Sequence, residues 1–236
     1  MVLLAACQRA PYPAYTRLPR VEKECKQLSQ QVLELLPRQK RTHAAQQEAT
    51  WLAETAFKAS ASIARYNRPL FVNWLNNRTV NTRYHWRHRG LCWHYQHDLY
   101  RELRRRPLRY YRLGCCVRDR GTGSEHHVVY IQANYGNNPE VVLLDAWMWN
   151  GRLQTELTSD GRKWKDDPAS AKFLAEVYPE GHRKPLEHWA MVRRGTKYND
   201  YVSSDAPGAR DSRQWRYMQE QMKRGMKQRK GNPVDY

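Results

Sequence analysis

The chain has 236 residues and carries 41 Lys and Arg against 23 Asp and Glu, a formal net charge of +18 that invites an anionic partner without naming any chemistry. Hydrophobic residues make up 40% and aromatic residues 11%, which is enough for one core built on large side chains and excludes wholesale disorder. No apolar run approaches the roughly 18 residues of a spanning helix, and five cysteines without a C-x-x-C exclude a disulfide scaffold, a zinc knuckle and a dithiol redox pair.

In chain order, Val2-Leu3-Leu4-Ala5-Ala6-Cys7 resembles a bacterial lipobox, which implies a lipid on Cys7 and attachment in the bacterial cell envelope facing the periplasm; without a lipid the chain would be cytoplasmic. The Pro-containing polar stretch up to Pro19 reads as an extended tether. Residues 1–19 are thus a signal remnant and tether, residues 20–200 a single domain, and residues 201–236 a basic polar tail.

Within the domain, Val21, Leu28, Val32 and Leu35 recur at helical spacing up to Pro37. A longer helix fits Thr42 to Tyr66, with Thr42 as its cap and Ala45, Leu52, Ala56, Ile63 and Ala64 on a core-facing stripe. Leu70 to Leu75 reads as a short apolar turn or helix. Cys92, Gln96, Leu99 and Leu103 share one face of a further helix that Pro107 ends, which leaves Arg101, Arg104, Arg105 and Arg106 on a solvated side. Beyond Pro107 the pattern changes to strands over Leu108–Arg118, Glu125–Ala133 and Val141–Trp147, joined by Gly- and Asn-rich turns. The simplest topology is an α+β fold, with N-terminal helices packed on an antiparallel β-sheet. After Asn150-Gly151 periodicity fades, and Trp164 and Trp189 suggest loops that pack back on the body.

Three residues stand out for chemistry. Cys92 opens a helix, where partial positive charge favours a thiolate; His126 or His127 opens a strand and supplies a proton acceptor; Asp145 closes the next strand and would orient the imidazole. Only one of the two adjacent histidines can face Cys92, because successive strand side chains point to opposite faces.

These residues carry a resemblance. The order helix Cys, strand His, strand Asp resembles the transglutaminase-like cysteine peptidase superfamily, related to papain. Arg89-Gly90-Leu91-Cys92-Trp93-His94-Tyr95 with Asp98-Leu99, then Glu125-His126-His127, then Leu144-Asp145-Ala146-Trp147 look like three boxes of a group of bacterial proteins with that core. The likeness runs from about Glu48 to Trp164, with His127 where the group has Asn and Ala146 where it has Pro; the Glu-His register selects His126 as the base. It implies a transglutaminase-like or papain-like core and a Cys92–His126–Asp145 catalytic triad without cofactor. The implied activity is amide hydrolysis or acyl transfer on a peptide or protein through a thioester. The backbone N–H of Cys92 would stabilise the oxyanion, with Asn76 or Asn77 as second donor.

Other readings stay beside this one. Cys25, Cys115 and Cys116 read as packing residues, and Cys115 and Cys116 point to opposite faces, unlike a zinc ligand pair. His94 and His97 read as surface or supporting groups. The same fold without catalysis would be an envelope lipoprotein or binding module. Between residues 81 and 120 there are 11 Arg against Asp98, Glu102 and Asp119, a net of +8. That density admits a nucleic-acid binder, although a solvated helix side accounts for most of it, so nucleic acid is not the expected partner.

Overall fold

The computed structural model describes residues 19–67, 90–120, 122, 124–136, 138–158 and 163–183. Cys7, Leu70–Leu75, Asn76, Asn77, Trp189 and the tail from residue 201 lie outside them. The described elements are α1 (Pro19–Glu34), a 3-10 turn (Arg38–Lys40), α2 (His43–Asn67), α3 (Cys92–Leu103), β1 (Tyr111–Arg118), β2 (His126–Ala133), β3 (Val141–Trp149), β4 (Arg152–Thr158), β5 (Lys165–Asp166) and α4 (Pro168–Val177). The strands pair antiparallel in the order β4-β3-β2-β1-β5. This is the α+β class read from the sequence, with the N-terminal helices packed on the sheet.

The helices form where their apolar stripes meet. Val21, Leu28 and Val32 of α1 are buried against α2, whose small residues Ala45, Ala49, Ala53 and Ala56 let the two backbones approach closely. Thr42 caps α2, its Oγ1 accepting the N–H of Ala45 at 3.2 Å. Alternation then sorts the strands. Cys115, Val129, Ile131, Val142 and Leu144 face the helices in the main core, while Cys116, Val128 and Leu143 form a smaller cluster under Trp164 on the opposite face. Adjacent Cys115 and Cys116 therefore do point apart.

Two long-range contacts fix the layers. Glu48 of α2 is 4% exposed, and its carboxylate accepts the backbone N–H groups of Arg109, Tyr110 and Tyr111 at 2.9 to 3.3 Å, clamping the start of β1 to the helix. At the tip of the β3–β4 hairpin, Ser60 donates to the carbonyl of Gly151 at 2.8 Å. Gly151 has φ +91°, and a Cβ there would collide with Ala64 and the Ser60 backbone.

Three elements depart from the sequence expectation of loops after Asn150-Gly151. Asn150 and Gly151 both take positive φ, 52° and 91°, the backbone of a two-residue primed hairpin turn that starts β4. β4 is an edge strand with Leu153 as its one fully buried side chain, so its alternation is faint. β5 has two residues, both exposed. Helix α4 begins at Pro168 behind Asp167, whose carboxylate caps Ser170 through its N–H at 3.4 Å and its hydroxyl at 2.8 Å.

The presence of α4 also corrects the expected solvated side of α3. Arg101 is fully buried: it pairs with Glu102 at 2.6 Å and lies 3.7 Å from Asp98, and its carbonyl accepts from His182 at 2.8 Å. The segment from α4 to His182 covers this side, with Tyr100 donating to the Ala171 carbonyl and Arg104 to that of Tyr178.

Candidate active site

The site grows out of an incomplete ladder. β2 pairs with β3 over Val129–Leu144, Tyr130–Leu143 and Ile131–Val142, whereas His126, His127 and Val128 pair with β1 alone. Between Asp145 and Trp149 the register of β3 against β4 is broken by a bulge or similar irregularity, a feature common beside functional sites. Cys92 occupies the opening. Its Sγ reaches the carbonyl of Glu125 at 3.8 Å and accepts the backbone N–H of His127. The thiol is thus seated on the two residues that flank His126, where a β3 residue would otherwise bond.

Cys92 is held there by the loop before α3. Gly90 takes φ +132°, and the imidazole Nδ1 of His94 accepts the N–H groups of Leu91 at 3.0 Å and Gly90 at 3.3 Å. His94 is 2% exposed and caps the helix start, and His97 is likewise buried, with its ring edge against Trp93; neither is a surface group. Trp147 closes the arrangement from the β3 side, its indole N–H donating to the Gly90 carbonyl at 2.8 Å.

Each histidine of the adjacent pair has its own carboxylate. His126 places Nε2 2.7 Å from Oδ2 of Asp145, and His127 places Nε2 2.9 Å from Oε1 of Glu125. The His126 ring is 3% exposed and lies between Trp147, centroid 5.0 Å away, and Trp164, 5.8 Å away. With Nε2 committed to Asp145, Nδ1 of His126 is buried and has no hydrogen-bond partner among the described residues. Asp145 is fixed in turn: its Oδ1 accepts the N–H of Trp147 at 2.9 Å and of Met148 at 3.1 Å.

The electrostatics differ from the sequence expectation at one point. A helix start was to lower the thiol pKa; instead burial pushes Cys92 up to about 12, and the Asp145 and Glu125 carboxylates add to the rise, against the opposing N–H groups of His127 and Trp93. Desolvation outweighs the helix end because the thiol is 3% exposed. Asp145 moves the other way. Its burial favours the protonated form, but the hydrogen bond and charge of His126 and the two backbone N–H groups hold it below the usual carboxylate value. Cys115 and Cys116 are raised by burial too, within the unbroken β1–β2 ladder.

The structure therefore brings Cys92, His126 and Asp145 into one neighbourhood, and leaves Cys25, Cys115 and Cys116 in packing positions. Sequence reasoning gave no site role to Trp147, Trp164 or the Glu125 carboxylate and read His94 only as a surface or supporting group; of these, Trp147, Glu125 and His94 lay inside recognisable boxes. The N–H of Cys92 belongs to the first helical turn, which has no intrahelical acceptor and suits an oxyanion. Among the described residues no three His, Cys, Asp or Glu groups converge as a metal site. No protein-family model, curated protein or solved structure matches the chain.

Proposed function

We propose that the protein is a transglutaminase-like cysteine hydrolase or acyltransferase acting on an amide bond of a peptide or protein, with Cys92 as nucleophile, His126 as base and then acid, and Asp145 as its orienter. The observation that carries this reading is the polarity of His126: Nε2 is bound to Asp145 at 2.7 Å, and among the described residues the buried Nδ1 has no partner, on the residue whose two neighbours grip the Cys92 thiol. Because the thiol is neutral at rest, the proton transfer accompanies attack rather than preceding it. The Cys92 sulfur bonds to the carbonyl carbon while its proton passes to Nδ1 of His126. The tetrahedral intermediate collapses with loss of the amine, which takes that proton, and leaves a thioester; water or a second amine then attacks it, returning Cys92 to the thiol. Asp145 stabilises the imidazolium formed in between. A lipid on Cys7 would hold this chemistry at the cell envelope.

One observation favours a second reading, a binding module of the same fold: the thiol is 3% exposed and raised to about 12. Incubation with p-nitrophenyl acetate separates the two. The enzyme releases p-nitrophenolate in a burst and gains one acetyl group on Cys92, detected by peptide mass spectrometry, and His126→Ala loses both. Absence of acetylation in the folded wild type, or equal acetylation in His126→Ala, rejects the enzyme.

A further inference from the structure

The end of the fold remote from Cys92 carries a cluster of six exposed cations. Arg38, Lys40 and Arg41 lie in the α1–α2 connection, Arg106 and Arg109 follow α3, and Arg112 is in β1. These segments meet. Lys40 lies over the ring of Tyr135 at 5.0 Å, Tyr135 packs on Tyr110 at 6.0 Å, Arg109 lies over Tyr110 at 5.5 Å, and Arg106 over Trp51 at 5.7 Å. Arg112 holds Gln132 at 2.7 Å, and Arg41 bonds the carbonyls of Leu36 and Glu34.

None of these six cations has a carboxylate within 4.0 Å among the described residues, whereas Arg104 and Arg105, just before Arg106 in the chain, pair with Glu180 and Glu102. Three carboxylates belong to the same end: Glu34 bonded to Gln30, Glu140 bonded to Asn138, and buried Glu48. Six against three leaves a net of +3, with the negative groups engaged and five of the six positive ones resting on rings or neutral oxygens. A guanidinium laid over an aromatic face keeps its donors pointing outward in a fixed plane, ready for phosphate oxygens.

Two further observations choose the partner. Tyr110 is buried, Trp51 and Tyr135 are half-buried, and a cation lies over each ring, so these aromatics do not form an exposed platform for stacking bases. The cations come from helix connections and a strand end, a broad end face rather than one element shaped to enter a groove. Exposed basic side chains spread over a broad face suit an anionic lipid surface.

We propose that this end face, formed by Arg38, Lys40, Arg41, Arg106, Arg109 and Arg112, docks on an anionic phospholipid bilayer. Helix α3 has 12 residues and separates the face from Cys92 by roughly 18 Å, so a docked molecule holds its thiol end away from the lipid.

The test uses the full chain with Cys7→Ser, so that no acyl anchor contributes, and sedimentation with vesicles of phosphatidylglycerol and phosphatidylethanolamine in about a 1:3 ratio. Binding is expected to these vesicles and to vanish with pure phosphatidylcholine or at high salt. Arg106→Glu with Arg109→Glu weakens it roughly 100-fold, whereas the equal charge change Arg20→Glu with Lys58→Glu, on paired cations elsewhere, leaves it within about twofold. Should the double Glu variant fail to fold, Arg106→Gln with Arg109→Gln and Lys40→Gln still weakens binding roughly tenfold. Acetylation of Cys92 reports folding in every variant that retains it, and thermal unfolding does so otherwise. Equal losses in the two charge-reversed variants, binding to neutral vesicles, or tighter binding to duplex DNA than to anionic vesicles would overturn the proposal.

Discussion

Two buried thiols on opposite sides of β2 show what separates a packing cysteine from a candidate nucleophile. Cys116 lies in β1 at 3% exposure, its Sγ 3.9 Å from the Val128 carbonyl, inside a ladder that runs unbroken from Tyr111–Ala133 to Arg118–His126. Cys92 has the same exposure and meets the carbonyl of Glu125, the residue just before β2, on the side where the ladder to β3 has stopped. Burial raises both pKa values. The difference is the company: an imidazole oriented by Asp145, its other nitrogen without a partner among the described residues, lies between the two residues that grip Cys92. Protection from water is common to both; an interrupted pairing edge is not.

The contrast breaks most sharply at His126. His126→Ala is expected to slow acetylation of Cys92 by about 1000-fold, within the span of general-base effects, while Cys116 stays unmodified in both proteins. A loss of less than about tenfold would put the two thiols in one class. Asp145→Asn is expected to cost about 100-fold. It also tests the acid limb of stability. The Asp145 carboxyl is held below its ordinary value, so its contribution is present above about pH 4 and is lost as pH falls through the lower folded value; the Asn variant lacks that loss. An unchanged acid limb in chemical denaturation would contradict the role given to the pair.

At the alkaline end the two thiols should behave alike. Their folded pKa values are raised, so the stabilisation is complete below about pH 9 and declines as the unfolded chain ionises first, by about 1.4 kcal/mol per pH unit for each thiol; for Cys92 the decline extends to about pH 12. Cys92→Ala and Cys116→Ala should each make the slope shallower by one proton. A Cys92→Ala slope equal to wild type would mean that the thiol is not buried in solution. The smallest effect is at neutral pH, where Cys116→Ala costs about 1 kcal/mol of stability from lost packing and leaves acetylation of Cys92 unchanged; impaired acetylation would join the two sides of β2 after all.

The helices and the first three strands were legible because their side chains are sorted by burial. Leu28, Val32, Leu52 and Ile63 keep a helical period, and Cys115, Val129 and Ile131 a strand period, since one face of each element meets the core. The later elements escaped for the opposite reason. β4 and β5 are at sheet edges and bury little, and α4 is announced by its Asp167-Pro168 start more than by its stripe. Missing α4 carried a second error with it, the solvated reading of Arg101, because helical spacing tells which residues share a side and not what covers it. At the site, residue types and order led to Cys92, His126 and Asp145. The raised thiol could not be read there, since it comes from the burial of Cys92 and from Glu125 and Asp145 brought close by the fold.

The Glu48 carboxylate has a consequence for how the chain is made. It emerges from the ribosome 61 residues before Arg109, the first of the three amides it receives. At roughly 5 to 20 residues per second that is a wait of roughly 3 to 12 s. During this interval α2 carries a charge on the face that later packs inward, and only water can satisfy it. The helical layer is therefore expected to stay hydrated and loosely associated until β1 has been synthesised, so that truncation just before Arg109 yields a chain without a fixed tertiary structure.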